Sequence, residues 1–276
     1  MKIKLLLLVF WVPVMGSFIN SGFNNWGSFP FSSEVFAQGF KDDVNDFLTV
    51  GGDVYTAPAH FDKSDWLKLG AAAAATTGAF FLDKDVKRLF ARNHSNTADF
   101  IFGIDGDLIM GTAAGSMFAL YGYGALADND NIKNLGLRLG EATFYAGTVN
   151  LLAKMIIGRK RPKADCGCSS FNMFTTDISN SSFPSTHTTL AFAFAAVMAD
   201  YNDNSLWKVT WYTFAGLVGM ARIYHNMHWF SDTVLGAALG YYIGEFVVNH
   251  PVNNEEKPAP VSIIPAGNLV NIKIML

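Results

Sequence analysis

Between residues 67 and 248 the chain is a succession of apolar stretches, at approximately 67–82, 107–127, 139–157, 188–199, 207–221 and 230–248. Their Ala, Gly, Leu and Met content favours helix over strand. No internal repeat and no coiled-coil heptad interrupts the series. The pattern predicts an all-α chain, an up-down bundle of about six helices. In such a bundle alternate helix ends meet, so whatever lies at those ends is gathered at one face.

Charge patterning narrows the setting. Charged residues make up only 16% of the 276, the formal charge is −3 and the mean hydropathy is +0.22. Ordinary soluble chains carry about 25% charged residues, so this chain is more apolar than a cytosolic enzyme. The absence of a basic excess excludes a nucleic-acid partner. A bilayer span needs roughly 20 apolar residues. Leu108 to Ala127 has that length with no charge inside, whereas the other stretches are interrupted by Glu141, Lys154, Asp200, Lys208 and Glu245. A membrane-embedded bundle is expected, with an apolar bundle free in the periplasm as the competitor.

The two ends differ from the middle. Lys2 and Lys4 precede the apolar run Leu5 to Met15, and polar, Gly-rich sequence follows, the pattern of an export signal or signal anchor. Small residues at Gly16 and Ala37 offer cleavage points. Three regions result: a signal with its polar follow-on over 1–37, a helical domain over 38–250, and a tail over 251–276. Residues 17–66, rich in Gly, Asn, Ser, Phe and Asp, are expected to be loop with short helical pieces. Pro251, Pro258 and Pro260 end the helical pattern, and the alternation of Val270, Ile272, Ile274 and Leu276 permits a short strand. If 67–82 does not span, Lys133, Arg138, Lys208 and Lys257 fall on one side, which suits the cytoplasm. The opposite helix ends then face the periplasm. Cys166 and Cys168, one residue apart, would form a strained disulfide and are too few for a metal site; they read as loop decoration.

Those opposite ends carry the chemistry. Lys154 and Arg161-Pro162 close one apolar stretch, Pro184-Ser185-Thr186-His187 opens the next, Arg222 closes the third, and His228 and Asp232 lead into the fourth. Arg161 and Arg222 offer planar forks for phosphate oxygens and Lys154 adds a point charge. Residues 184–187 lead into a helix, whose first amides can cradle an anion, and Ser185 adds a hydroxyl. His228 and Asp232, four apart, are neighbours on a helix. A carboxylate on one imidazole nitrogen leaves the other as a nucleophile, and His187 can protonate a leaving oxygen. No carboxylate cluster for a divalent metal accompanies these groups, so no metal and no cofactor is expected, and fixed cations would stabilise charge instead. His225, off the pattern, reads as a rim or packing residue, and Trp229 and Tyr224 as packing aromatics. His60, His94 and His250 lack a partner pattern.

These three clusters resemble the signature KxxxxxxRP, PSGH and SRxxxxxHxxxD of the type 2 phosphatidic acid phosphatase and vanadium haloperoxidase superfamily, over approximately residues 140–250. The resemblance implies an all-helical fold and a phosphohistidine intermediate. His228 is then the nucleophile, Asp232 orients it and His187 is the acid, while Lys154, Arg161, Ser185, Thr186 and Arg222 bind phosphate. Thr186 stands where the family has Gly, and Ala221 where it has Ser. The implied activity is a metal-independent phosphatase acting on a phosphomonoester or pyrophosphate, lipid-linked, such as phosphatidic acid, phosphatidylglycerol phosphate or undecaprenyl diphosphate. Its partners would be the phosphorylated substrate and a membrane, with no obligate protein partner and the site facing the periplasm. A soluble broad-range acid phosphatase, a vanadate-dependent haloperoxidase and a non-catalytic phospholipid-binding protein are the alternatives.

Overall fold

Several helices start where a side chain meets the backbone amides that a helix start leaves open. The structure, a computed structural model, describes residues 33–103, 106–177, 181–250, 261–266 and 269–274. Eight α-helices follow one another among these residues: α1 Ser33–Thr56, α2 Lys63–Arg92, α3 Asn96–Phe102, α4 Gly106–Leu126, α5 Asp130–Ile157, α6 Thr186–Asp200, α7 Ser205–Tyr224 and α8 Phe230–Asn249. Asp62 accepts the amide of Asp65 at 2.8 Å and Asp65 reaches back to the amide of Asp62, a capping box that opens α2. The side chains of Asn129 and Asn204 accept first-turn amides of α5 and α7 in the same way. Two antiparallel strands, β1 Val261–Ala266 and β2 Leu269–Ile274, form a hairpin with Val261 opposite Ile274. Among the described residues the regular structure is thus helical apart from this hairpin, as the apolar pattern implies.

Two expectations need correction. Residues 33–56, expected as loop with short helical pieces, form one 24-residue helix. Phe40, Val44, Phe47, Val50 and Val54 recur at three- and four-residue spacing, so they line one face, and Val50 and Val54 are buried. Gly, Asn and Asp between them hid that period. Likewise α2 extends past residue 82, because its last two turns are charged on the outside while Asp83 is buried within. The second correction concerns Leu108 to Ala127: among the described residues no helix is long and apolar enough to cross a membrane. Thr112, Ser116, Tyr121 and Tyr123 dilute the hydropathy of α4. The signal region 1–32 lies outside the described residues, and α1 begins inside the 1–37 boundary drawn for it.

Small residues set the closest packing. On α8, Gly236, Gly240 and Gly244 form a stripe facing α6. A Cβ on Gly236 would stand 2.8 Å from the Ser185 carbonyl, one on Gly244 would stand 2.9 Å from the Ala193 carbonyl, and one on Gly240 would overlap the Thr189 carbonyl. Ala193 and Ala196 answer from α6 with nothing larger than a methyl group, and both are fully buried. This close approach brings the first turns of α6 and α8 together, which is what positions the functional groups.

Candidate active site

The site is built where α5 ends and α6 and α8 begin. Gly158 stops α5 in the left-handed region at φ 59°, with its amide on the Lys154 carbonyl. A side chain at 158 would strike the Asn172 carbonyl. The chain then runs extended through Arg159, Lys160 and Arg161 and pairs with the returning segment through isolated bridges Arg159–Phe171 and Lys160–Ser181. The amide of Ser182 donates to the Arg159 carbonyl at 2.7 Å. The loop after α5 is therefore tied to the segment that enters α6.

These ties bring the predicted residues together. Lys154 is buried and donates to the Ser181 carbonyl at 2.8 Å. His228 is buried and its Nδ1 lies 2.7 Å from the neighbouring Ser182 carbonyl. The amide of Ser185 donates to the Asp232 carbonyl at 3.0 Å, joining the starts of α6 and α8. The Arg222 carbonyl, in the last turn of α7, receives the amides of Met227 and His228, so the connecting loop folds back over that helix end. Arg161 is half-buried; its Nη1 approaches Met227 Sδ at 3.9 Å and its Nε has no hydrogen-bond partner among the described residues. His187 sits half-buried in the first turn of α6.

The electrostatics follow from burial among cations. Lys154 is held down at about 8, first by burial and then by the nearby Arg161 charge, with Asp232 opposing both. Burial likewise lowers Arg161. His228 is pushed down to about 4, first by burial; Asp232 raises it, and Lys154 and Arg161 lower it. At neutral pH His228 is therefore an uncharged imidazole. A carbonyl can only accept, so Nδ1 carries the proton toward Ser182 and Nε2 presents its lone pair.

Three details differ from the sequence reading. The hydrogen bond on Nδ1 goes to the Ser182 carbonyl, while the Asp232 carboxylate stands 3.6 Å away and acts on His228 as a charge. The Ser185 amide is taken by the Asp232 carbonyl, so it is not free to cradle an anion. The Thr186 hydroxyl donates to Asn150 Oδ1 at 2.9 Å, and Asn150 Nδ2 donates to Thr189 Oγ1 at 2.8 Å. Thr186 has no positive φ. Threonine is thus accommodated in place of Gly by a side-chain partner on α5, and Ala221 is simply packed, fully buried.

Sequence reasoning missed a second set. Arg159 is fully buried; it donates to Asp232 Oδ1 at 2.6 Å, to Ser231 Oγ at 2.7 Å, to Asp83 Oδ2 at 2.5 Å and to the Cys168 carbonyl at 2.8 Å. Asp83 also accepts the amide and hydroxyl of Ser231, each at 2.8 Å. Asn150 and Ser182 belong with them. The one signal available was Arg159 itself, a third cation between Lys154 and Arg161. Its acidic partner Asp83 lies 76 residues earlier, where no motif points to it.

The remaining candidates fall into place. His225 is exposed and its Nε2 lies 2.7 Å from the Phe102 carbonyl, a rim position as read. Trp229 and Tyr224 are buried packing aromatics; Trp229 Nε1 donates to the Lys160 carbonyl. Cys166 is exposed, Cys168 is buried, and both are free thiols. Among the described residues no group of three or more His, Cys, Asp or Glu side chains could hold a metal ion.

Comparison with known proteins adds the following. Residues 135–256 match the family model described as the PAP2 superfamily. A lipid A 1-phosphatase of Porphyromonas gingivalis is 46% identical over 66 residues, 23% of this chain and 15% of that protein. A lipid A 1-phosphatase of Rhizobium etli is 31% identical over 143 residues, 51% of this chain and 56% of that protein. The alignments thus span about half the length of these relatives at most. The crystal structure of Aquifex aeolicus LpxE is 21% identical, covering 61% of this chain and 96% of that one, at a TM-score of 0.42. So low a score carries no argument about function.

Proposed function

We propose that this protein, whose residues 135–256 match the PAP2 superfamily model, is a metal-independent phosphatase that cleaves a lipid-linked phosphomonoester or pyrophosphate through a phosphohistidine intermediate. The observation that carries the reading is His228, a neutral imidazole with Nδ1–H on a carbonyl and Nε2 available, set beside the charges of Lys154 and Arg161. Nε2 attacks phosphorus as the bond to the leaving oxygen breaks, and His187, in its protonated form, gives that oxygen its proton. Water then attacks the phosphorus and passes a proton to His187. The N–P bond breaks, its electron pair returns to Nε2, and inorganic phosphate leaves. Lys154, Arg161, Arg222, the Ser185 hydroxyl and Thr186 stabilise the equatorial oxygens throughout.

An apolar cavity of about 660 Å³, walled by α1, α4, α5, α6 and α7, supports a lipid substrate. On α6 its wall is Leu190, Ala191 and Phe194, at three, four and seven residues from His187 and hence on the same helix face. On α7 Phe214 lies eight residues, about 12 Å by helical rise, below Arg222. These faces lead from the catalytic helix ends toward the cavity, whose volume lies within the range of roughly 300–1,000 Å³ for ligand pockets. Exposed Leu67, Phe81 and Phe118 offer apolar surface to a bilayer. With the amino-terminal signal they support a place at the envelope membrane, the site facing the periplasm. The two lipid A 1-phosphatases make the glycosyl phosphate of a lipid A the first substrate to assay, ahead of phosphatidic acid, phosphatidylglycerol phosphate and undecaprenyl diphosphate.

The test is phosphate release from that panel by detergent-extracted protein in excess chelator, with membrane fractionation alongside. Release without metal, lost in His228→Ala, and an acid-labile label trapped on His228 by rapid quench are expected. Full dependence on magnesium, or turnover retained in His228→Ala, overturns the proposal.

A further inference from the structure

Asp232 is the carboxylate nearest His228, yet both its oxygens are engaged elsewhere. Oδ1 accepts Arg159 Nη1 at 2.6 Å, and Oδ2 accepts the Trp229 amide at 2.7 Å. What remains for Nδ1 of His228 is the Ser182 carbonyl. Arg159 is held in this arrangement from its far side by Asp83 on α2, which also anchors Ser231, the residue before Asp232. Phe80 and Trp229 stack on the guanidinium at 4.8 and 5.4 Å, so the fork has one orientation. All of Arg159, Asp83 and Asp232 are fully buried.

We propose that Asp83 and Arg159 are positioning residues that draw the Asp232 carboxylate away from His228, so that the imidazole is oriented by a neutral carbonyl and stays an unprotonated nucleophile in acid as well as at neutral pH. The inference rests on the reading of His228 as the nucleophile. A histidine hydrogen-bonded directly to a buried carboxylate gains proton affinity; one held by a carbonyl does not. The charged groups that act on His228 are Asp232 from α8, Lys154 from α5 and Arg161 from the loop after α5; on α7 the Arg222 carbonyl receives its amide, and His187 lies in the first turn of α6. Among those with a resolved effect on it, Asp232 alone raises its proton affinity. Arg159 shares the Asp232 charge and fixes its distance at 3.6 Å. Its length, and the second carboxylate that completes its fork, are what a purely local His–Asp pair would not need.

The decisive variant is the double substitution Asp83→Asn with Arg159→Met. It removes one charge of each sign, so no uncompensated buried charge is added, and it frees Asp232 to accept Nδ1–H. Arg159→Lys is the companion, keeping the charge but unable to fork across Asp83 and Asp232. Circular dichroism and thermal melts select the folded material. The readouts are the acid limb of kcat/KM for p-nitrophenyl phosphate and the titration of His228 by 15N NMR, assigned against His228→Asn. In the double variant both are expected to move upward by about one pH unit or more, with Arg159→Lys between it and the wild type. A scaffold role alone lowers the yield of folded enzyme and leaves both titrations in place; that result overturns the proposal. If the wild type hydrolyses nothing, the phosphatase reading fails, and the NMR titration still decides this inference.

Discussion

Acid should weaken this protein through one buried imidazole. In the unfolded chain His228 titrates near 6.5; in the fold, without a bound anion, it titrates near 4 because burial penalises its charge. A depressed folded-state value means that the unfolded state binds more protons between pH 4 and 6.5. Stability from this group is complete above pH 6.5 and is lost as pH falls toward 4. At pH 4.5 the linkage relation gives a loss of about 2.5 kcal/mol relative to pH 7.5. His228 is 3% exposed, so solvent screening removes little of it. Other groups titrate in the same window, and Glu141, raised to about 8 by burial and by Asp46, acts in the opposite direction. The measurement is therefore a difference: denaturant unfolding in detergent, phosphate-free, of wild type and His228→Asn at pH 7.5 and 4.5. The wild type should lose about 2.5 kcal/mol more than the variant. Equal losses would show that His228 titrates normally, and the argument for a neutral, buried nucleophile would fall with it.

Glu141→Gln should stabilise the protein at pH 9 and have little effect at pH 5, since the carboxyl is penalised only when ionised and stability falls as pH rises from 4.5 through 8; thermal melts at the two pH values check this. Gly240→Val should lower stability by about 3 kcal/mol or more, because its side chain meets the Thr189 backbone carbonyl and not a movable side chain; a melting temperature unchanged from wild type would refute the close packing of α6 on α8. Thr186→Gly, which restores the family residue, should cost about 1 kcal/mol through loss of the bond to Asn150 and leave kcat within a few-fold, as steady-state kinetics would show. Lys154→Met should lower kcat/KM by about 100-fold or more, as expected for loss of a buried donor to the transition state, with helical content kept in circular dichroism.

Where the structure agreed with the sequence, the signal was local. Ala-rich and Leu-rich stretches with few breakers made helices, and a cation at the end of one stretch, a histidine at the start of the next and a carboxylate in the first turn of another could be read as meeting. Where it disagreed, the deciding contacts were distant or masked. The helix over 33–56 was concealed by Gly, Asn and Asp interleaved with its apolar positions, some of them, such as Asp43 and Asp46, buried themselves. The hydrogen bond from His228 to the Ser182 carbonyl joins residues 46 apart, and no spacing rule anticipates a backbone acceptor. What accommodates Thr186 in place of the family's Gly could not be read locally, because its partner Asn150 lies on another helix.

Periodicity and residue type alone determined the helical class, the end of the bundle at which chemistry gathers, and the identities of the imidazoles and cations available there. Tertiary structure alone decided how they are arranged: that Arg159 is shared between Asp232 and Asp83, that a carbonyl holds the Nδ1 proton of His228, and that α6 and α8 approach closely enough to join Ser185 to Asp232. Helix period is written in neighbouring residues, whereas a hydrogen bond between segments exists only once packing has fixed both partners within about 3 Å.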